Sequence, residues 1–324
     1  MKAIITSAYG GPEVLQIQDI EKPIPKANEI LIKIKATSIT GASTFMRAGK
    51  PYFGRLFTGL TKPKIKTPGT DLSGIVKAVG VDVTNFTIGD EVMAETGLTF
   101  GAYAEYICLG SDELIIKKPN NVSYEEATGI LDGASTALAF FTDQVKIKKG
   151  QKIAINGASG SIGTAAVQLA KEFGAQVTGV CSGKNIALVK GLGAEKVLDY
   201  TKNEFNKSEE KFDIIFDTVG KLSYRKAKKN LNKHGIYLTP VLRFSVLLQM
   251  LFVSPFTNKK LKFAATGLRK NEERMRDLIQ IRDLIEKEKL TTVIDQVYPL
   301  ARIQEAQTYV DLGHKRGNVI VTFE

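Results

Sequence analysis

Metal-ligating side chains are scarce in this chain. Its 324 residues hold two histidines and two cysteines, and no tryptophan. A catalytic zinc takes three protein ligands, mostly Cys, His or an acid, and a structural zinc takes four. His234 stands in a charged turn and His314 near the end of a C-terminal helix, so both read as surface residues and no metal is expected. Cys108 and Cys181 lie far apart in sequence, which gives no disulfide framework and fits a reducing cytoplasm. No apolar run reaches the roughly 18 residues that a membrane span needs. The opening MKAIITSAYGG is too briefly apolar for a signal peptide and reads as a strand. A cytoplasmic location is the expectation.

Acids are outnumbered. Lys and Arg total 45 against 34 Asp and Glu, a net charge of +11, which suits RNA, an anionic membrane or an anionic ligand. The lysines are scattered, however, and no aromatic pattern interleaves with them. The densest stretch, Lys221 to Lys233, reads as the solvated face of a helix. No specific nucleic acid partner is expected. Within that stretch Tyr224 and Lys228 match Y-x-x-x-K, the catalytic pair of short-chain dehydrogenases. They stand too soon after the glycine motif described next, so the match reads as chance.

What is present centres on Lys152 to Gly163, KIAINGASGSIG. It reads as a short strand, a small-residue turn and the start of a helix, with a second strand in AQVTGV. The unit is about 30 residues long, the size of a βαβ nucleotide-binding unit. Ala158, Gly160 and Gly163 form the A-x-G-x-x-G variant. Small residues there let a pyrophosphate approach backbone N–H groups, and the helix start at Ser161 and Ile162 adds orphan donors and its positive dipole end. An NAD-preferring unit ends its second strand in an acid. Here that end is Cys181-Ser182-Gly183-Lys184. Lys184 supplies charge and Ser182 a donor for the 2′-phosphate of NADPH, with Tyr200, at the third strand's end, a candidate neighbour. NADPH is the expected cofactor.

The rest of the chain falls into two textures. Residues 1 to about 125 are strand- and turn-rich and read as a β-barrel-like domain, with a basic, Pro/Gly-punctuated loop from Lys50 to Pro68 that carries Tyr52, Phe53 and Phe57. Ser123 and Glu126 form a capping signature. A helix and a second, glycine-started helix are expected after it. From Lys152 strands and helices alternate, as in a doubly wound parallel sheet. The expected helices are Thr164–Phe173, Asn185–Leu192, a short one near Asn203–Lys207, and Tyr224–Leu231. Val241–Phe256 is almost wholly apolar and reads as a buried or substrate-covering helix, with a weak membrane-surface contact left open. KLKFAAT, from Lys260, could be an edge strand pairing with its copy in a homodimer.

Ala36–Gly49, Pro68–Gly74, Gly89–Val92, Gly101–Tyr106, Asn156–Lys171, Leu192–Tyr200 and Gly317–Val319, in this order and spacing, resemble the medium-chain dehydrogenase/reductase superfamily in its zinc-independent, quinone oxidoreductase-like branch. The resemblance implies an α/β protein. A GroES-like β-barrel catalytic domain (1–124 and 268–324) encloses a Rossmann domain with a doubly wound parallel sheet (125–267). Where related zinc enzymes carry Cys and His, this chain has Ser38–Ser43 (SITGAS) and Thr70. The resemblance places Thr136 and Asn318 near the cofactor. Thr40 and Tyr52 are the candidate catalytic residues, the latter as proton donor. Phe45, Phe100, Tyr52 and Arg243 are candidate pocket residues. The family often has Asn at Thr40 and Tyr at Phe45, so a more apolar pocket is expected. The expected activity is transfer of hydride from NADPH to a quinone or an α,β-unsaturated carbonyl. An NADPH-responsive binding protein and a metal-free alcohol dehydrogenase remain alternatives.

Overall fold

The computed structural model describes residues 1–50, 52–202, 205, 209–252 and 257–323, apart from the side chains of residues 53 and 57. The chain divides into two compact units. One comprises Met1–Asp132, Lys270–Glu286 and Thr292–Glu324, the other Gly133–Arg269 and Lys287–Thr291.

The first unit is built on strand Glu29–Ser38, whose Ile30, Ile32 and Ile34 point alternately into the core. Asp71–Val79 pairs with it antiparallel on one side. On the other side lies Asn318–Thr322, with Ile320 opposite Ser38. Asn318–Thr322 therefore joins the sheet begun by residues near the chain's start, and Ile294–Pro299 pairs parallel with it on the far side. Tyr106–Gly110 adds a further antiparallel partner, and Glu91–Glu95 continues the sheet to Ile115–Lys117. Strand Tyr106–Gly110 begins no earlier, because the N–H groups of Gly101, Ala102 and Tyr103 turn back to donate to the carbonyls of Thr67, Gly69 and Pro68. The Lys50–Pro68 stretch is more regular than a loop, with a helical turn Tyr52–Gly54 and a short helix Arg55–Thr58.

Among the described residues, the second unit holds six strands, all parallel, in the order Lys196–Asp199, Gln176–Cys181, Lys152–Asn156, Phe212–Asp217, Leu231–Thr239, Lys260–Phe263. By chain position that is 3-2-1-4-5-6, the doubly wound order in which ligands bind at the carboxyl ends of the central strands. Helix Ser161–Glu172 packs on this sheet through a face of small residues, Gly163, Ala165, Ala166 and Ala170, all buried. Small side chains there let helix and sheet backbones approach closely.

Two helix expectations need correction. Tyr124–Ala139 is one continuous helix, running on into a π turn at Phe140–Gln144, not two. Gly133 does not break it. Any Cβ there would lie 2.7 Å from the carbonyl oxygen of Ser161, so this glycine serves close packing. The apolar stretch forms helix Phe244–Phe252, but it is not buried: none of its residues is. Val246 and Met250 pack against the core of the second unit, while Phe244, Leu247, Leu248, Leu251 and Phe252 are exposed. Those five recur at i, i+3, i+4, i+7 and i+8, one stripe of the helix. Residues 253–256 and most of the helix expected near Asn203–Lys207 lie outside the described residues.

Candidate functional site: a glycine loop and an apolar cleft

In the second unit, the first strand ends at Asn156 and the chain turns through Gly157 with φ +80°. Gly160 then caps helix Ser161–Glu172 without any side-chain hydrogen bond, and a Cβ on it would meet nothing closer than 3.5 Å. The first helical N–H groups, at Ser161, Ile162 and Gly163, have no partner within the helix by construction. Gly163 is there for a different reason. A Cβ on it would collide with the carbonyl oxygen of Gly157 and lie 2.8 Å from Cα of Ala158. Ala158 is itself buried. A cradle that is open at Gly160 and sterically closed at Gly163 fits a dinucleotide pyrophosphate.

Ser182, Lys184 and Tyr200 come together at the carboxyl ends of the neighbouring strands. Ser182 precedes the helical turn Gly183–Asn185, and Lys184 is exposed on that turn. The N–H of Tyr200 donates to the carbonyl of Cys181 at 3.1 Å, and its ring is exposed. Thr136 belongs to the same unit and is buried, its hydroxyl 3.4 Å from that of Thr266. Asn318 belongs to the first unit, where its Nδ2 donates to the carbonyl of Val293 at 3.1 Å.

Three residues of this half went unnoticed in the sequence. Asn185, buried, donates from Nδ2 to Ser159 Oγ at 2.9 Å and to Ser182 Oγ at 3.3 Å, tying the glycine loop to the second strand's end. Asp217 accepts from Asn156 Nδ2 at 2.8 Å, from the N–H groups of Gly220 and Leu222 and from the Tyr237 hydroxyl, which fixes the turn beside Gly157. Asp199 is an acid at the third strand's end, and a Cβ on Gly183 would lie 2.6 Å from its Oδ2. Its carboxylate accepts from the hydroxyl and N–H of Thr201 and from the N–H of Gly183, which hold it below its ordinary range.

In the first unit, a cleft of about 50 Å³ is lined by residues that include Thr40, Ser43, Arg47, Gly69, Thr70 and Phe100. Thr40 caps helix Gly41–Arg47, its hydroxyl accepting from the Ser43 N–H at 3.0 Å. Gly69, at φ +92°, leaves room for Tyr103, since a Cβ would lie 2.8 Å from the Tyr103 nitrogen. The buried Tyr103 hydroxyl donates to the Ser38 carbonyl at 3.2 Å, and burial pushes its phenol well up. Phe100 is buried at a positive φ of 57°, a conformation that bulky side chains avoid.

Three candidate pocket residues do not line this cleft. Tyr52 is 69% exposed and stacks against the Arg55 guanidinium, 5.0 Å from its ring centre. Phe45 lies on the outward side of its helix, 54% exposed. Arg243 is exposed in the second unit, at the turn before helix Phe244–Phe252. The sequence reading passed over Arg47. Its guanidinium is buried and pairs with Asp311 at 2.5 Å, while Nε and Nη1 have no hydrogen-bond partner. A buried cation with unused donors, in an otherwise apolar wall, favours a ligand oxygen that is or becomes negative.

Among the described residues no three His, Cys, Asp or Glu side chains converge to hold a metal, and none of their helices is long and apolar enough to cross a membrane. A family model described as an alcohol dehydrogenase GroES-like domain matches residues 26–120. One described as a zinc-binding dehydrogenase matches residues 192–321. The chain is similar to the quinone-oxidoreductase QR1, chloroplastic, of Triphysaria versicolor, at 33% identity over 99% of this chain and 98% of that one. It is 29% identical to the NADPH-dependent alkenal/one oxidoreductase, chloroplastic, of Arabidopsis thaliana, over 99% of this chain and 79% of the relative. Among solved structures, the quinone oxidoreductase from Coxiella burnetii matches with a TM-score of 0.89 at 27% identity, covering 100% of this chain and 99% of the other. The chain belongs to the medium-chain dehydrogenase/reductase superfamily, in its zinc-independent, quinone oxidoreductase-like branch.

Proposed function

We propose that this protein is an NADPH-dependent reductase of quinones or α,β-unsaturated carbonyl compounds. Bound NADPH supplies a hydride. The loop at Ala158, Gly160, Ser161, Ile162 and Gly163 holds the pyrophosphate, and Ser182, Lys184 and Tyr200 receive the 2′-phosphate. Thr136, in the same unit as the loop, is assigned to the nicotinamide end. The acceptor occupies the cleft lined by Thr40, Thr70 and Phe100.

The observation that carries this reading is Arg47, which lines an apolar cleft and whose buried guanidinium keeps two nitrogens unpartnered. Hydride addition to a quinone or an enone leaves negative charge on oxygen, and that charge is stabilised by fixed donors in a water-poor wall. A simple alcohol asks for the reverse, a base and a Lewis acid for the alkoxide. The test is NADPH consumption across quinones and enones of varied chain length. Consumption above background, faster with NADPH than with NADH, is expected. Background rates across the whole panel reject the reading.

The exposed stripe Phe244, Leu247, Leu248, Leu251 and Phe252 favours a homodimer in which a second copy covers it, because a contiguous apolar patch of that kind rarely faces water unpartnered. Sedimentation of Leu248→Glu as a monomer, with the unaltered chain a dimer, is the expected result. Monomers in both, with binding to anionic vesicles, reassign the stripe to a membrane surface. The free thiols Cys108 and Cys181 are consistent with the cytoplasmic location expected from the sequence, which a fluorescent fusion tests.

A further inference from the structure

Two walls of the cleft are built differently. Thr40, Ser43 and Arg47 belong to helix Gly41–Arg47 and its cap. Thr58 ends helix Arg55–Thr58, and Pro63 and Ile65 belong to the irregular chain that follows it. Irregular chain has no ladder of backbone bonds, so other ties must fix its shape. Tyr9 supplies them. Its hydroxyl donates to the Gly59 carbonyl at 2.7 Å and lies 2.8 Å from the Thr58 hydroxyl. Gly59 has to be glycine there: its φ is +120°, and a Cβ would collide with the Lys62 carbonyl oxygen. The Lys64 N–H donates to the Thr58 carbonyl at 2.8 Å, so the turn that begins at the two partners of Tyr9 delivers Pro63 and Ile65.

Tyr9 is itself held. The Arg55 guanidinium lies 4.4 Å from its ring centre, and Arg55 Nε donates to the Gly49 carbonyl at 3.0 Å. Tyr9 also lines the cleft, so one side chain both bounds the space and clamps the wall that carries Pro63 and Ile65. The space is about 50 Å³. A water molecule needs roughly 10–15 Å³ on this scale, which leaves room for about four or five non-hydrogen atoms. That is a conjugated C=C–C=O and one further carbon. An aryl or fused ring does not fit while the clamped wall stays where it is.

We propose that Tyr9 is the specificity-determining residue of this cleft, holding it to small, unbranched α,β-unsaturated aldehydes and ketones and against acceptors that carry an aryl or fused ring. This rests on the proposed reductase function, which makes the cleft the acceptor's site. Loss of the Tyr9 hydroxyl releases Thr58 and Gly59 together, the wall relaxes outward, larger acceptors gain entry and small ones are held less well. Tyr9 acts on the fit of the acceptor and takes no part in moving the hydride or the proton.

The test uses the full chain, unaltered and as Tyr9→Phe, Thr58→Val and Ile65→Ala, with NADPH consumption measured on 2-butenal, 3-phenylpropenal and 1,4-naphthoquinone. The two aldehydes share a reacting group and differ in bulk. In the unaltered chain kcat/KM for 2-butenal should exceed that for 3-phenylpropenal by about 100-fold. Tyr9→Phe should raise 3-phenylpropenal by about tenfold and lower 2-butenal by about threefold, and Thr58→Val should move the same ratio the same way by less. Ile65→Ala widens the space without touching the clamp and should also raise 3-phenylpropenal by about tenfold, so the size test stands even where Tyr9→Phe fails to fold. A merely structural loss lowers both aldehydes alike and leaves their ratio unchanged. Trypsin reads the clamp itself: cleavage after the exposed Lys64 should be about fivefold faster in Tyr9→Phe. The proposal is overturned if the unaltered chain treats the two aldehydes within about twofold of each other, or if Tyr9→Phe and Ile65→Ala both leave the ratio within about twofold of its original value. It is overturned too, with the reductase reading intact, if 1,4-naphthoquinone is turned over and 2-butenal is not. No consumption with any of the three acceptors overturns the reductase reading itself, and the size selection with it.

Discussion

The glycine loop of the second unit and the cleft of the first make opposite use of the chain. The loop is backbone: its shape follows from where a Cβ is missing, at Gly160 and Gly163, within a dozen residues of sequence. The cleft is side chains drawn from far apart. Arg47 is held by Asp311, 264 residues on, and Glu95 behind it by Arg274, 179 residues on. A site made of backbone fails abruptly when one atom is added. A site assembled from distant side chains loses function in graded steps, and its working parts are hard to name in advance.

Gly163→Ala breaks the comparison most severely if it is wrong. The added Cβ falls on the Gly157 carbonyl oxygen, so overpacking costs about 1–3 kcal/mol of stability. NADPH affinity should fall by about two orders of magnitude, ~2.7 kcal/mol, measured by titration calorimetry. Wild-type affinity would show that the loop does not bind as a backbone cradle. Lys184→Glu, on an exposed turn, should weaken NADPH by about tenfold while leaving NADH within about twofold. Equal losses for both would remove Lys184 from the 2′-phosphate. Asn185→Ala cuts the tie between Ser159 and Ser182, worth about 1 kcal/mol, and should loosen both dinucleotides by about fivefold. Tyr52→Phe is the smallest effect. An exposed tyrosine outside the cleft lining should change kcat by less than about twofold, and a large loss would restore it as the proton donor.

These differences track what the sequence could tell. The loop, its strand and its helix were legible because their rules are local: small residues at fixed offsets, an apolar strand before them, a helix after. The cation at Lys184 and the hydroxyl at Ser182 were legible for the same reason, since they end the very next strand. Asp199 was not, because its place beside Gly183 depends on two parallel strands lying in register, Asp199 opposite Cys181. Helix Phe244–Phe252 shows a different limit. Composition announced an apolar helix, and its exposed stripe depends on what the fold leaves uncovered. In the cleft, Thr40 and Phe100 were found, while Phe45 and Tyr52 point elsewhere, because residues close in sequence on a short helix or turn face different ways. Arg47 left no signal beyond an arginine in an apolar helix, and its burial depends on a C-terminal helix, Ile303–Asp311, that sequence distance hides.

The central claim is that hydride passes from NADPH to carbon or quinone in this protein. It is tested most directly by running the reaction with NADPH carrying deuterium at the transferred position and a 2-enal as acceptor, and analysing the product by mass spectrometry and NMR. The account predicts one deuterium per molecule, on the carbon β to the carbonyl. NADPH consumed with no label in the product, or no consumption at all, would contradict it.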